Sequence, residues 1–366
     1  MASDNISPLA MLNYVPLTTP VQQIMTDLPK VLPSQFYTQT KEVLGNKFRR
    51  FLMRGTRQTA KQSIYGAPPK AVAQTGIARQ DVIMLHTIEQ MVAGEEIIAL
   101  FHQYEDYKVQ LSAEEELERR AMDFAHRADN LRTATIHSAI ANGYIWFDAN
   151  NEILPTASGA VTTIDYQIPA GNRVAATATW ATASNDIPTM VLNFLTSAMQ
   201  NGYGRKPAYA ICGKNVAGYL SNNTNFQQYL ARNPSYNDFY KNTGLVADGV
   251  LGLKWVFAQD AYFERSDGTV PSQFPADQIT FVPELTRDVY ELKVGSFPVP
   301  KQFYWIGQNG DASQFVKECF NNPTYGAFRY AYGQALPVPQ VWTVQGDTFY
   351  PDLPVPQSIW YYDTTP

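Results

Sequence analysis

From Leu111 to Asp148 the chain reads LSAEEELERRAMDFAHRADNLRTATIHSAIANGYIWFD. Its apolar positions recur in steps of three and four. Leu117, Ala121, Phe124, Ala128, Leu131, Thr135 and Ala139 form one stripe, the pattern of a helix that buries one face. Ser112 with Glu115 matches a capping box, and Gly143 is a stop able to take positive φ, so the pattern predicts a helix over 112–142. That span of about 31 residues is roughly 45 Å long. Glu115/Arg119, Glu116/Arg120 and Asp123/Arg127 make i,i+4 pairs on its polar side. Charge ends at Arg132, and Ile136 and Ile140 then widen the apolar arc. The first half is expected at the surface and the second half inside, with Leu117, Phe124, Leu131, Ile136 and Ile140 as core. A coiled coil is disfavoured, because the stripe is Ala-rich and lasts only about three heptads.

Elsewhere the pattern is that of strands, short helices and loops. Pro8, Pro16, Pro20, Pro29 and Pro33 forbid one continuous helix at the start. Only SQFYTQTKEVLGNKFRRFLMRG has helical character there, so residues 1–55 read as an extended arm that orders by docking on something else. Residues 56–80 are small, polar and rich in Gly and Pro, a projecting hairpin or a disordered stretch. DVIMLHTIEQMVA then suits a returning strand. Past the long helix, YIWFD, AVTTIDYQI and NRVAATATW predict strands, and DIPTMVLNFLTSAMQNGYGRK a helix begun by Asp186 and Pro188. PAYAICG is a short buried strand, and KNVAGYLSNNTNFQQYLARN is helical in pieces. The segments LKWVFAQ and ITFVPE flank Asp267-Gly268, a hairpin signal. Pro-Val-Pro recurs at 298–300, 337–339 and 354–356. With Trp342, Trp360 and Tyr361 beside it, this motif suits strand connectors rather than polyproline ligands.

Composition sharpens the picture. The 366 residues include 22 Tyr and 19 Phe, with 13% aromatic and only 17% charged residues. Such ring content fits surfaces that meet other proteins, or a large Tyr-rich core. The formal net charge of −5 and the lack of a basic stripe argue against sequence-specific nucleic-acid binding. Two distant cysteines, Cys212 and Cys319, make neither a disulfide framework nor a zinc site and fit a reducing compartment. The first residues lack a basic stretch followed by an apolar one, so no signal peptide is expected. No apolar run is long enough to span a bilayer.

Candidate chemistry is sparse. The four histidines are His86, His102, His126 and His137; the last two lie three turns apart, roughly 16 Å by helix rise, too far to share a metal. Gly213-Lys214 follows a strand, but Ala208 and Asn215 stand where a phosphate loop needs Gly and Ser or Thr. No G-x-S-x-G elbow is present, and Cys212 sits in an apolar strand. No catalytic, cofactor-binding or metal-binding residue is assigned, and a structural role is expected over an enzymatic one.

The order of these parts resembles the major capsid protein of tailed bacteriophages, the α+β Hong Kong 97-type fold, and more closely its lambda-like family. The likeness covers nearly the whole chain. RGTRQTAKQSIYGAPPKAVAQ resembles the extended loop, or E-loop. The long helix resembles the spine helix of the peripheral domain. Trp180 followed by ASNDIPTMVLNF resembles the entry to the axial domain, though Ile187 separates Asp186 from Pro188. The best local match is GLKWVFAQDAYFERSDGTVPSQFPADQITFVPE, with Tyr262, Asp267, Gly268, Phe274-Pro275-Ala276-Asp277 and Val282-Pro283. The resemblance implies an arm over 1–55, an E-loop over 56–95, a peripheral domain over 96–180, an axial domain over 181–284, and a return through both with terminal strands over 285–366.

It also implies a shell of hexamers and pentamers around double-stranded DNA, held non-specifically, in a virion assembled in the host cytoplasm. Ser63, Tyr65, Pro68, Pro69 and Lys70 become candidate inter-subunit contacts on the E-loop. About 111 residues precede the spine helix, and the arm and loop use them, so a separate scaffolding protein is expected, with portal and decoration proteins. A covalent cross-link would need a loop lysine such as Lys61 or Lys70; the lambda-like branch uses decoration proteins, and none is expected. The rivals are an encapsulin-type compartment of the same fold and an uncharacterised α+β enzyme.

Overall fold

The structure, a computed structural model, describes residues 14–28, 30–53, 77–93, 107–201, 205–232, 247–258, 263–307, 311–321, 323–334 and 340–366. Within these, 14–16, 53, 77–78, 93, 107–118, 247–248 and 311 are described by backbone alone.

The chain opens with a helix, α1 (Tyr14–Asp27), that holds Pro20 in its interior. This corrects the reading of a Pro-broken extended arm. Tertiary contacts outweigh the lost backbone bond: Val21, Met25 and Leu17 are buried, and Gln22 Nε2 donates to Ala327 O at 2.8 Å. A short helix, α2 (Gln35–Thr38), leads into strands β1 (Thr40–Val43) and β2 (Lys47–Met53), where helical character was expected. The inward positions of β2 are Phe48, Arg50 and Leu52. A charged residue in an inward slot hides the period of two from sequence reading. β3 (Ile77–Ile83) pairs antiparallel with β2, and β4 (Leu85–Ala93) follows as the returning strand.

The spine helix α3 runs Tyr107–Asn142, 36 residues, about 54 Å at 1.5 Å per residue. Its start corrects the capping-box reading, because Ser112 lies inside the helix. Its interior follows the stripe. Ala121, Phe124, Ala125 and Ala128 pack with Val21 and Met25 of α1. From Ala134 to Gly143 every residue is buried. Gly143 ends the helix at φ +72, where a Cβ would lie 2.7 Å from Ile168 Cδ1, so the stop requires glycine.

Three short strands, β5 (Tyr144–Phe147), β6 (Ile153–Leu154) and β7 (Thr162–Asp165), cap that end of the spine in the order β6-β5-β7. Then come β8 (Arg173–Ala175), helix α4 (Ile187–Asn201), β9 (Pro207–Cys212), helices α5 (Val216–Asn222) and α6 (Thr224–Ala231), and strands β10 (Ala247–Asp248), β11 (Lys254–Phe257) and β12 (Gln278–Pro283). Asp186 Oδ1 accepts from Thr189 N at 3.2 Å and Asn223 Oδ1 from Phe226 N at 2.8 Å, capping α4 and α6. The chain continues with β13 (Glu291–Pro298), β14 (Trp305–Ile306), helix α7 (Asp311–Asn321), β15 (Pro323–Tyr325), β16 (Phe328–Gln334), β17 (Gln340–Asp352) and β18 (Trp360–Asp363).

These strands make two main sheets. The seven-stranded sheet runs β1-β13-β17-β16-β14, with β4 also paired to β17 and β15 to β13. The six-stranded sheet runs β10-β11-β9-β12-β18-β8. The expected hairpin around Asp267-Gly268 is therefore corrected: β11 and β12 do not pair, because β9 lies between them. What remains is a local turn, in which Gly268 N donates to Arg265 O and Arg265 N to Thr269 O, both at 2.9 Å.

One core joins Ile136 and Ile140 of the spine to Tyr209 and Ile211 of the six-stranded sheet and to Phe349 and Tyr350 of the seven-stranded one. A second core lies on the opposite face of the six-stranded sheet, under α4, α5 and α6, with Trp180, Phe194 and Trp255. Two of the Pro-Val-Pro repeats sit among buried groups. Val299 follows β13, and Leu353, Val355 and Pro356 lead into β18. The repeat at 337–339 lies outside the described residues.

Candidate assembly surfaces

Between Arg127 and Arg132 the spine is tied to its surroundings by ion pairs. Arg132, the last charge of the helix, donates from Nε to Asp347 Oδ2 at 3.0 Å and from Nη2 to Asp347 Oδ1 at 2.6 Å. Asp347 is wholly buried on β17. Arg127 reaches Glu89 of β4 at 3.0 Å, and Asp129 pairs with Lys30 before α2. Lys30, Asp129 and Arg132 also line an open groove of about 450 Å³ with Tyr37, Glu42 and Gly326. Both cations in it are held by carboxylates, Lys30 by Asp129 and Arg132 by Asp347.

The β2–β3 ribbon leaves the body beside a second buried network. Arg50 of β2 is 1% exposed. Its Nε lies 2.8 Å from Asp352 Oδ1, its Nη2 donates to Leu353 O at 2.6 Å, and its guanidinium lies over the Tyr166 ring at 5.2 Å. Lys293 of β13 pairs with Glu291 and lies 3.8 Å from Asp352. Burial pushes the Asp352 carboxyl up, opposed by Arg50 and then Lys293. Burial likewise raises the Tyr350 phenol to about 12. The ribbon is therefore fixed by charge inside the protein, while its outer face sets the exposed Phe51 and Ile83 among the charged Lys47, Arg49, Arg79 and Asp81. Phe51 is 44% exposed, Ile83 63%, and Leu44 just before β2 75%. A two-stranded ribbon is marginal by itself.

Other exposed apolar groups stand on α7, where Phe320 is 76% exposed and Val316 also faces out. The inner side of α7 places Phe315 against Tyr304, Tyr330 and Tyr332. Further rings lie on this side of the seven-stranded sheet, with Phe297 stacked on Phe328 at 4.3 Å.

Among the sequence-predicted residues, Phe124 is 2% exposed in the α1–spine cluster, Ile136 and Ile140 are wholly buried, and Leu131 is half-buried. Leu117 is described by backbone alone. Ser63, Tyr65, Pro68, Pro69, Lys70, Lys61 and Tyr262 lie outside the described residues. Asp267 is exposed and accepts from Thr269 N at 2.9 Å, and hydrogen bonds from Thr269 hold its carboxyl below the usual range. Gly268 takes φ +78 in the same turn. Arg265 carries this turn to the β5–β6 connection, pairing with Asp148 and lying 3.4 Å from Glu152. The ties made by Arg50, Arg132 and Arg265 were not singled out from sequence; the residue alone carried no signal for Arg265.

Reactive groups are quiet. Cys212 is buried, and burial raises its thiol well above the ordinary value. His137 is buried, shares a 2.8 Å hydrogen bond with Tyr37 Oη, and has its pKa lowered by burial to about 3. Among the described residues no group of three or more His, Cys, Asp or Glu is placed to hold a metal ion, and no helix is long and apolar enough to cross a membrane.

His137 sets a pH dependence. Its folded pKa lies below the unfolded value of about 6.5, so its contribution is fully present above pH 6.5 and is lost as pH falls toward 3. Over that window wild-type stability should fall by up to about 1.4 kcal/mol per pH unit more steeply than that of His137→Asn. Urea titrations at pH 6.5, 5.5 and 4.5 measure this; equal slopes for both proteins would rule it out.

The match to known families decides what these surfaces belong to. Residues 15–292 match the model of the family described as phage major capsid protein E. The chain belongs to that family. This phage capsid protein is a shell protein with an α+β fold. Among solved structures it is similar to a prophage protein of Escherichia coli CFT073 described as a capsid protein, at 12% identity and TM-score 0.48, covering 78% of this chain and 79% of that one. It is similar to a phage-related protein of Bordetella bronchiseptica RB50, at 9% identity and TM-score 0.44, covering 95% and 97%. The mature capsid of bacteriophage PhiM1 is another likeness, at 10% identity and TM-score 0.44, covering 92% and 89%. No curated protein matches the capsid protein's sequence.

Proposed function

We propose that this capsid protein builds an icosahedral shell of hexamers and pentamers around phage double-stranded DNA, without enzymatic activity. The observation that carries the reading is the β2–β3 ribbon, rooted by the buried Arg50 and presenting Leu44, Phe51 and Ile83 to solvent. In this reading the ribbon and the residues between its two strands form the E-loop, which reaches a neighbouring subunit and includes Ser63, Tyr65, Pro68, Pro69 and Lys70. The seven-stranded sheet and spine form the peripheral domain. Residues 181–284 form the axial domain, completed by β8 and β18. A separate scaffolding protein, a portal and a decoration protein are its expected partners in the host cytoplasm. The net charge of −5 supports a container that holds DNA non-specifically and does not grip its phosphates. The family match is to phage capsids, which favours a virion over a cellular compartment of the same fold.

The test is assembly. Purified protein with its scaffold should give closed particles by negative-stain microscopy. Phe51→Asp combined with Ile83→Asp should leave thermal stability within about 0.5 kcal/mol of wild type, as exposed positions do, and should abolish closed shells. Normal shells from that variant would show that the ribbon's outer face makes no subunit contact.

A further inference from the structure

β18 lies inside the six-stranded sheet, between β12 and β8, although it follows every other described strand in chain order. It pairs antiparallel with β12, Tyr362 opposite Ile279, and parallel with β8, Tyr362 opposite Val174. Among the described residues, β8 meets the sheet only through β18. The segment 359–364 is held at both ends by groups far away in sequence. Asn172 Nδ2 donates to Gln357 O at 2.9 Å and to Ile359 O at 2.7 Å. Thr364 N and Oγ1 both donate to Asp277 O, at 2.8 and 2.7 Å. Ala176 N donates to Asp363 O at 2.8 Å, and Trp180 N to Thr364 O at 3.0 Å.

The side chains of this strand divide between the two cores. Ile359 and Tyr361 enter the core that holds the buried half of the spine, and Tyr361 lies under the Arg173 guanidinium at 4.4 Å. Trp360 and Tyr362 enter the core beneath α4, each packed on Phe194 at 6.0 and 4.9 Å. Until these residues arrive, β12 has an open edge, β8 has no strand partner, and both cores lack two large side chains. Pairing across so long a loop is slow relative to local contacts. An open hydrogen-bonding edge flanked by apolar walls is also a binding slot for an extended segment.

We propose that β18 is a late-inserting strand that gates assembly. The slot between β12 and β8 binds residues 359–364 as an extended segment with aromatic side chains on both faces, and only a subunit with the slot filled enters a shell. This rests on the shell function, so wild-type assembly is the control in every arm.

The decisive variant is Tyr362→Pro in the whole chain, because proline in a strand paired on both sides removes a ladder hydrogen bond and cannot seat. Hydrogen exchange should show loss of protection at the Ala176 and Trp180 amides, with protection kept across β16, β17 and β4, and no particles should form. Adding a synthetic peptide of residues 353–366 should restore both protection and particles, whereas the same peptide carrying Trp360→Ser and Tyr362→Ser should restore neither.

Four results overturn the gate while wild type assembles: particles from the variant alone, loss of protection throughout the chain, failure of the peptide to bind, or binding without recovery of particles. Pulsed hydrogen exchange during wild-type refolding gives an independent reading. The Ala176 and Trp180 amides should become protected after those of β16, β17 and β4; earlier protection would overturn the proposal. If wild type itself forms no particle, it is the shell reading that fails.

Discussion

Arg132→Ala is expected to destabilise the protein by about 3–5 kcal/mol, the cost of leaving one member of a buried ion pair without its partner. Asp347 is wholly buried, and Arg132 meets both of its carboxylate oxygens, at 3.0 and 2.6 Å. The guanidinium also lies 5.4 Å from the Phe349 ring, so alanine loses packing as well as charge. Chemical denaturation of the unassembled subunit is the measurement. Asp347→Asn alone should cost less, because an amide can still accept from the guanidinium and carries no charge to desolvate. In the double variant Arg132→Ala/Asp347→Asn part of the loss should return, since the orphaned charge is gone. Strict additivity of the two changes would mean that the two side chains are not energetically coupled. The functional consequence follows from position. The pair joins the spine to the longest strand of the seven-stranded sheet, so its loss should lower the yield of particles before it abolishes the fold.

Phe124→Asp is expected to remove the capacity to form shells altogether. Phe124 is 2% exposed among Val21, Met25, Ala125, Ala128 and Ala327, where α1, the spine and the residue before β16 meet. Truncating a buried phenylalanine costs about 3–5 kcal/mol, and placing a carboxylate among apolar groups adds a desolvation penalty. The sum reaches the whole stability of a typical domain. Phe124→Leu, which keeps an apolar group in the site, should assemble with a lowered melting temperature. Wild-type-like particles from Phe124→Asp would refute the burial of this face.

A contrast comes from Arg49→Ala on the same ribbon as Arg50. Its partner Asp81 and the arginine are both mostly exposed, so stability should change by less than about 1 kcal/mol. The difference between Arg49 and Arg50 is burial, and no feature of the KFRRFL segment distinguishes the two.

The spine could be read in the sequence because its signal is local. Three- and four-residue steps, the charge limit at Arg132 and the glycine stop all lie within one segment, and the packing follows that pattern. Strands β5, β7, β8, β9, β11 and β12, the cap at Asp186, the buried Cys212 and the use of Pro-Val-Pro as a connector near 298 and 354 were legible for the same reason. Where the sequence misled, a distant partner had overruled a local preference. Pro20 lies in a helix because α1 docks on the spine and β16. Arg50 occupies an inward strand position because Asp352 is there to meet it. β11 and β12 look like a hairpin, but β9, which precedes both, pairs with each of them.

By itself, then, the sequence determined the α+β class, the spine and its buried half, and the likeness to phage capsid proteins. These rest on periodicity and composition, which act over a few turns of chain. Only the tertiary structure decided which strands are neighbours, which charges are buried, and that β18 closes a sheet begun some 190 residues earlier by β8. Those outcomes depend on long loop closures and on desolvated pairs, whose energies exist only once the partners have met.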